Sequence, residues 1–224
     1  MVADSPPDRD KRLHNCRMPL HPTPRLLLLD FDGVLAHYDR PKRLLHLAEH
    51  AVCTPAQVQA ALFDSGLETA YDSGAIDTAT YLETLGQGIG RIVDPETWIA
   101  ARLVACRPCT GVLERVAALA GQTAVAVLTN NGPLMAQAIE RLVPQLFPAL
   151  QGRVLCSGQF GGRKPQREVF QQALALLAIE PRHTLFVDDL FVNVRGARAA
   201  GLHADTVRDA RSFARVLRRH RLPC

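Results

Sequence analysis

The chain is poor in aromatic residues and has no long apolar run. Aromatic side chains make up 5% of its 224 residues, and there is a single tryptophan. No apolar stretch approaches the roughly 20 residues that a transmembrane helix needs. With 47% hydrophobic and 21% charged residues, the composition is that of a globular chain rather than a collagen-like or disordered one. We expect one domain, or one domain with a small insertion, and no membrane partner.

Cysteine patterning also argues against a metal or disulfide scaffold. The six cysteines are scattered, with one C-x-x-C at Cys106 to Cys109. Without a second pair or a histidine pair, this motif is a weak zinc or redox signal. Residues 1–24 are rich in proline and charge and lack the apolar stretch of a signal peptide. We therefore predict free thiols, a flexible leader at 1–24 and a cytoplasmic location.

Charge is unevenly distributed along the chain. The formal net charge is +4, and residues 208–224 hold six arginines against one aspartate. Apart from Phe213, no aromatic residue is interleaved with these arginines, as aromatic residues often are in nucleic-acid-binding segments. Because arginines are favourable near a helix C-terminus, we predict a solvated final helix and no nucleic-acid partner.

Short apolar runs alternate with amphipathic stretches in most of the chain. The runs at 25–31, 123–129 and 184–187 each end in acidic or amide residues, and weaker strands are predicted at 153–156 and 203–207. Continuous apolar runs are typical of strands that are buried on both faces of a parallel sheet. Helices are predicted between them, at 111–119, 133–143, 165–178 and 191–200. This alternation predicts a doubly wound, Rossmann-like parallel α/β sheet.

Residues 37–105 have a different pattern. They read as helices with no convincing strand, at 41–50, 56–63, 67–71, 77–85 and 95–104. We therefore predict a small all-helical cap, inserted after the first strand of a core formed by residues 25–36 and 106–224.

Four polar clusters stand near the ends of the predicted strands. They are Asp30-Phe-Asp32-Gly33, then Thr129-Asn130-Asn131, then Gly162-Arg-Lys164-Pro165, then Asp188-Asp189. Each alone has a structural explanation, such as helix capping or a solvated loop. In an open α/β sheet, however, the carboxyl ends of the strands meet at one edge, where ligands bind. Four carboxylates, a hydroxyl and a lysine at one edge suit phosphoryl transfer, in which the protein mainly positions groups and neutralises charge.

These clusters, in this order, resemble the haloacid dehalogenase (HAD)-like hydrolase superfamily. D-F-D-G-V-L, L-T-N, G-R-K-P and V-D-D match its four motifs, and a helical insert between the first two matches its C1-type cap. The resemblance covers about residues 25–208. Glu68, Gly74-x-Ile76 and Tyr81 in the insert are similar, more weakly, to small sugar-1-phosphate phosphatases.

The resemblance implies a role for each motif residue. Asp30 would be the nucleophile that forms an aspartyl-phosphate, and Asp32 would act as general acid and then as general base. Thr129 and the Asn130 amide would hold phosphoryl oxygens, and Lys164 would pair with Asp30 and the phosphate. Mg²⁺ would be held by Asp30, the Asp32 backbone carbonyl and Asp189, with Asp188 binding directly or through water.

The second aspartate indicates the reaction class. A departing halide needs no proton, whereas the alkoxide released from a phosphate monoester does, so Asp32 favours a phosphatase or phosphomutase over a dehalogenase. The expected partner is a small phosphorylated metabolite, with a sugar phosphate as one option. Substrate contacts are expected from the cap and the loop after Gly33, and the candidates are His37, Tyr38, Arg40 and Arg43.

Two non-enzymatic alternatives remain at this level. A signalling receiver domain also uses Asp, Mg²⁺, Thr and Lys on a doubly wound sheet, but its acidic pair comes first along the chain and it lacks a large helical insert. A HAD-like binding protein without activity is the other alternative, although every motif residue is present.

Overall fold

The computed structural model describes residues 23–223, so most of the predicted leader at 1–24 lies outside the described residues. The strands are β1 (Leu26–Leu29), β2 (Ala36–Tyr38), β3 (Cys106–Pro108), β4 (Ala124–Thr129), β5 (Val154–Cys156), β6 (Thr184–Asp188) and β7 (His203–Thr206). The helices are α1 (Arg40–Ala51), α2 (Pro55–Gln59), α3 (Leu67–Asp72), α4 (Thr78–Ile89), α5 (Pro95–Ala105), α6 (Thr110–Leu119), α7 (Met135–Leu142), α8 (Arg167–Leu176), α9 (Phe191–Ala199) and α10 (Ala210–Arg219).

The core is a five-stranded parallel sheet in the order β5-β4-β1-β6-β7. The four leucines of β1, at its centre, are buried, and they alternate between the two faces. Leu27 and Leu29 join one hydrophobic cluster, while Leu26 and Leu28 join the other. A central strand covered on both faces by helices requires such a run, which confirms the predicted doubly wound α/β fold.

The segment between β2 and β3, residues 40–105, contains α1 to α5 and a π-helical turn at Ala60–Asp64. We refer to it as the helical insert. Side-chain caps begin several of its helices: Asp39, Thr54, Asp77 and Asp94 each accept a hydrogen bond from a backbone N–H of the first turn. The predicted single helix at 56–63 is instead divided between α2 and the π turn.

The expectation of no strand around this segment was wrong at both of its ends. β2 and β3 pair antiparallel and form a two-stranded sheet at the base of the insert, with His37 opposite Arg107. Each strand has only three residues, and the partners lie about 70 residues apart, so neither periodicity nor a hairpin turn marked them. The pairing brings the two connections between insert and core side by side.

The basic C-terminal segment forms α10, which packs against the core through Phe213 and Leu217. Arg219 and His220 contact the carboxylate of Asp205. The predicted helix is therefore present, but one face is buried rather than solvated. Among residues 23–223, no helix combines the length and apolar character that crossing a bilayer requires.

Candidate active site

A polar cleft of about 480 Å³ lies at the carboxyl ends of the core strands. Its walls come from the loops after β1, β4 and β6, from β2 and from the loop before α8. The motif residues that line it are Asp30, Asp32, Gly33, Thr129, Asn130, Asn131, Arg163 and Asp189. The fold thus gathers side chains that are far apart in sequence, because the ends of parallel strands share one edge.

Lys164 is a buried cation in contact with Asp30, which lines the cleft. Its Nζ lies 2.9 Å from Asp30 Oδ1 and 2.8 Å from Asp188 Oδ2. The lysine is buried, which disfavours its charge, but the two carboxylates outweigh this effect and raise the pKa of Lys164. The residue is therefore an ammonium ion fixed between two carboxylates.

Asp188 is fully buried, and donors occupy both of its oxygens. Asn193 Nδ2 reaches them at 3.1 and 3.0 Å, the Leu190 N–H donates to Oδ1 at 2.8 Å, and Lys164 donates to Oδ2. A carboxylate held in this way orients its neighbours well, but it has little remaining capacity for a direct bond to another group.

Asp30, Asp188 and Asp189 have carboxylate oxygens within 4.8 Å of one another. When all three are ionised, three carboxylates face one ammonium group, and two negative charges are left uncompensated. Burial raises the pKa of Asp30 to about 8, against the lowering effect of Lys164, and burial also raises the pKa of Asp189. A divalent cation with a preference for oxygen ligands would offset this charge, so the residues present fit Mg²⁺.

Gly33 gives the Asp189 carboxylate its space. Its φ is +86°, and a Cβ at this position would lie 2.4 Å from the Asp189 side chain. Glycine tolerates this left-handed backbone, and it also permits the close approach. Any larger residue in place of Gly33 would therefore clash with the Asp189 carboxylate.

Thr129 and Asn130 are fixed by short hydrogen bonds. Thr129 Oγ1 accepts from Asn131 Nδ2 at 2.7 Å, which leaves the hydroxyl proton available for a ligand oxygen. The Asn130 side chain accepts from the Lys164 N–H at 2.8 Å and donates to the Lys164 carbonyl at 3.0 Å. Asn130 thus joins the loop after β4 to the loop that carries the lysine.

Asp32 lies on the wall of the cleft, with its side chain 27% exposed. Arg102 Nη2 donates to both of its oxygens, at 3.0 and 2.8 Å, and Asn131 Nδ2 lies at 3.3 Å. Arg102 belongs to α5 of the helical insert, so an arginine of the insert contacts the second aspartate of the first motif.

A family model of haloacid dehalogenase-like hydrolases matches residues 24–201, which is most of the chain. The chain belongs to this family. A search of curated proteins gave no match.

Solved structures of the family share the fold of this hydrolase. The HAD family enzyme bt-2542 from Bacteroides thetaiotaomicron is 19% identical with a TM-score of 0.71, covering 88% of this chain and 99% of that one. A predicted HAD-like hydrolase from Porphyromonas gingivalis is 22% identical with a TM-score of 0.69, also covering 88% and 99%. L-2-haloacid dehalogenase from Xanthobacter autotrophicus is 18% identical with a TM-score of 0.58, covering 82% and 77%. At such identities the similarity establishes the fold alone.

The four candidate substrate contacts divide into two groups in this hydrolase. His37, Tyr38 and Arg40 line the cleft. Arg43 does not, because it is fully buried inside the insert, where its guanidinium contacts Glu68 and Tyr81. The expectation that Arg43 meets a leaving group therefore does not fit the structure. Its guanidinium charge is paired with the Glu68 carboxylate inside the insert.

Two residues that line the cleft of the hydrolase, and one buried residue that contacts a cleft side chain, were given no role from the sequence. Asn131 and Arg163 lie within quoted motifs, so their neighbours could have indicated them. Arg102 lies about 70 residues from Asp32 and belongs to no motif. Its one local signal is that it is the only charge in an otherwise apolar run from Trp98 to Ala105.

Proposed function

We propose that this hydrolase is a Mg²⁺-dependent phosphatase that cleaves a small phosphorylated metabolite through an aspartyl-phosphate on Asp30. The observation that carries the proposal is the arrangement of Lys164 between Asp30 and Asp188, with Asp189 and Asp32 on the same cleft. A nucleophilic carboxylate, a charge-neutralising ammonium group and a second carboxyl for proton transfer are what phosphate monoester hydrolysis by this route requires.

In the first step, an Asp30 oxygen attacks phosphorus, and the bond from phosphorus to the leaving oxygen breaks. That oxygen takes a proton from the carboxyl group of Asp32. The Thr129 hydroxyl, the Asn130 N–H and Lys164 neutralise the equatorial oxygens. Mg²⁺, when held by Asp30, Asp189 and the Asp32 carbonyl, with Asp188 behind them, would offset the repulsion between carboxylate and phosphate.

In the second step, a water molecule attacks phosphorus and gives a proton to the Asp32 carboxylate, and the bond from phosphorus to Asp30 breaks. Phosphate leaves, and both aspartates return to their starting state. Asp32 thus acts first as acid and then as base, which requires its carboxyl group to face the cleft in both steps.

Structural neighbours support parts of this proposal. The bt-2542 enzyme has been crystallised as a complex with magnesium and inorganic phosphate, and that structure aligns with a TM-score of 0.66 at 20% identity, covering 82% of this chain and 93% of that one. The haloacid dehalogenase neighbour shows that the fold also serves other chemistry. The presence of Asp32 on the cleft favours a phosphate substrate, because the oxygen leaving group needs a proton.

We also propose that the helical insert acts as a cap that selects the substrate. The insert contributes Arg40 to the lining of the cleft, and the other lining side chains that could bind a leaving group are His37, Tyr38 and Arg163. These are mainly hydrogen-bonding and cationic groups. They suit a polar, anionic metabolite of the size of a sugar phosphate.

The test is a phosphatase assay with p-nitrophenyl phosphate. We expect turnover with Mg²⁺ and none after EDTA treatment, with activity restored by excess Mg²⁺. Asp30→Asn should abolish turnover without loss of the fold, because it removes the nucleophile at nearly constant volume. Asp64→Asn, an exposed aspartate on the insert, is the matched control and should leave the rate unchanged. Turnover that resists EDTA, or that persists in pure Asp30→Asn protein, would contradict the proposal.

A further inference from the structure

Arg102 has an unusual environment for an arginine. It lies in α5, the last helix of the insert, and only 2% of the residue is exposed. Its guanidinium stacks 4.4 Å above the Tyr38 ring, and its Nη2 contacts both Asp32 oxygens. Its Nε has no hydrogen-bond partner within the described part of the chain.

A buried guanidinium is costly unless its charge is compensated. Burial works to lower the pKa of Arg102, but the nearby Asp32 carboxylate is the largest opposing influence, and the net effect is a pKa above the ordinary value. Asp32 itself is partly exposed on the cleft. The compensating partner of this buried cation is thus a residue of the reaction, not a second buried structural group.

We propose that Arg102 is a positioning residue that holds the Asp32 carboxyl group in the orientation required for proton transfer and makes this orientation depend on the placement of the helical insert. The inference rests on the proposed function of Asp32 as acid and base, and it concerns a residue outside the four motifs.

The geometry of the contact suits both protonation states of Asp32. Because one nitrogen reaches both oxygens, at 3.0 and 2.8 Å, a hydrogen bond to one oxygen remains whichever oxygen carries the proton. The torsion that rotates a carboxyl group about its own axis is soft, so an unheld Asp32 would sample many orientations. The other close groups are weaker restraints: Asn131 lies at 3.3 Å and the Cys106 thiol at 3.9 Å.

The contact also links the acid–base group to the insert. α5 packs against α1 within the insert and against α7 of the core. A displacement of α5 would withdraw Arg102 from Asp32. Proton transfer would therefore be assisted only when the insert is seated on the core as it is here.

The test compares leaving groups in Arg102→Met, which keeps the length and apolar stem of the side chain. We expect kcat/KM for phenyl phosphate, a poor leaving group, to fall about tenfold or more, and kcat/KM for p-nitrophenyl phosphate to fall clearly less. The reason is that p-nitrophenolate hardly needs a proton. Arg102→Lys, which retains a cation, should recover part of the loss.

Two controls separate positioning from a structural effect. In an Asp32→Asn background, Arg102→Met should cause little further loss, because its route to the reaction has been removed. Arg141→Met deletes another contact of α5 with the core, the exposed pair with Glu96, and should leave both rates unchanged. The melting temperature of each variant is measured alongside to confirm that it is folded.

Equal losses for both substrates, or a full additional loss in the Asp32→Asn background, would overturn the role of Arg102 while leaving the phosphatase proposal intact. Failure of the proposed function would look different, because the wild-type protein would then show no Mg²⁺-dependent turnover of either substrate. If Arg102→Met is unfolded, the Arg102→Lys variant carries the comparison, and an unchanged leaving-group dependence in it counts against the proposal.

Discussion

The four acidic motif residues occupy distinct environments. Asp188 is saturated with donors, Asp30 is buried beside Lys164, Asp189 is half-buried beside Gly33, and Asp32 is partly exposed beside Arg102. Identical side chains therefore have different surroundings: Asp188 accepts from the lysine behind the cleft, while Asp30 and Asp189 line the cleft itself. The differences among the four aspartates come from the groups around each side chain and not from the residue type.

A metal-binding measurement tests this division of roles. Asp189→Asn should weaken Mg²⁺ binding by about 10- to 100-fold, because the proposed metal site would lose a charged oxygen ligand. Calorimetric titration of the free protein with Mg²⁺ measures this without any substrate. The exposed Asp64→Asn variant is again the matched control. Unchanged Mg²⁺ affinity in Asp189→Asn would remove that residue from the metal site.

Among the elements, α10 shows that the basic residues of a segment can hold the fold together through ion pairs within the protein. Asp205, at the end of β7, accepts from Arg198, Arg219 and His220. Burial works to raise the pKa of Asp205, but these three partners outweigh it and hold the pKa below its ordinary value. The carboxylate thus ties α9, β7 and α10 together, which accounts for part of the C-terminal charge without a nucleic-acid partner.

This contact predicts a pH-dependent contribution to stability. A lowered folded-state pKa gives stability that is present above the unfolded-state pKa and disappears as the pH falls through the folded-state value. Asp205→Asn should therefore lower the free energy of unfolding by about 1 kcal/mol at neutral pH. The difference from wild type should vanish at pH values well below the ordinary aspartate value of 3.8. Urea titrations across this range measure it; a pH-independent difference would argue against an ionic origin.

Elements with a local signal could be predicted from the sequence. The apolar runs of β1, β4 and β6 and the polar residues after them lie next to each other in the chain, so their positions at one edge of the sheet follow from the fold class. β2 and β3 are three residues long and pair across the whole insert, and no local pattern specifies such pairing. The contact of Arg102 could not be predicted from the sequence for the same reason, because its partner Asp32 lies about 70 residues away.

Over the whole molecule, the site lies where the insert meets the core. Asp72, at the end of α3, accepts from the Gly132 N–H at 3.0 Å, and the Tyr71 hydroxyl accepts from the Leu134 N–H at 3.1 Å. Arg102 provides a third contact, to Asp32. Insert residues thus touch the loop that carries Asp32 and the loop that follows Thr129, so the proposed substrate selection and the proposed catalysis would share one boundary. These contacts between the insert and the core loops join residues that are distant in the sequence, and they form only when the chain folds. The motifs therefore predicted the type of chemistry but not the contacts around the site.

The central claim is that Asp30 captures the phosphoryl group. The most direct measurement is rapid acid quench of the Mg²⁺-loaded protein during turnover of p-nitrophenyl phosphate, followed by mass spectrometry of the peptide that contains residue 30. The account predicts a phosphoryl group on Asp30, at increased occupancy in Asp32→Asn protein, in which the base for the second step is missing. Sustained turnover with that peptide unmodified, or with the phosphoryl group on another residue, would contradict it.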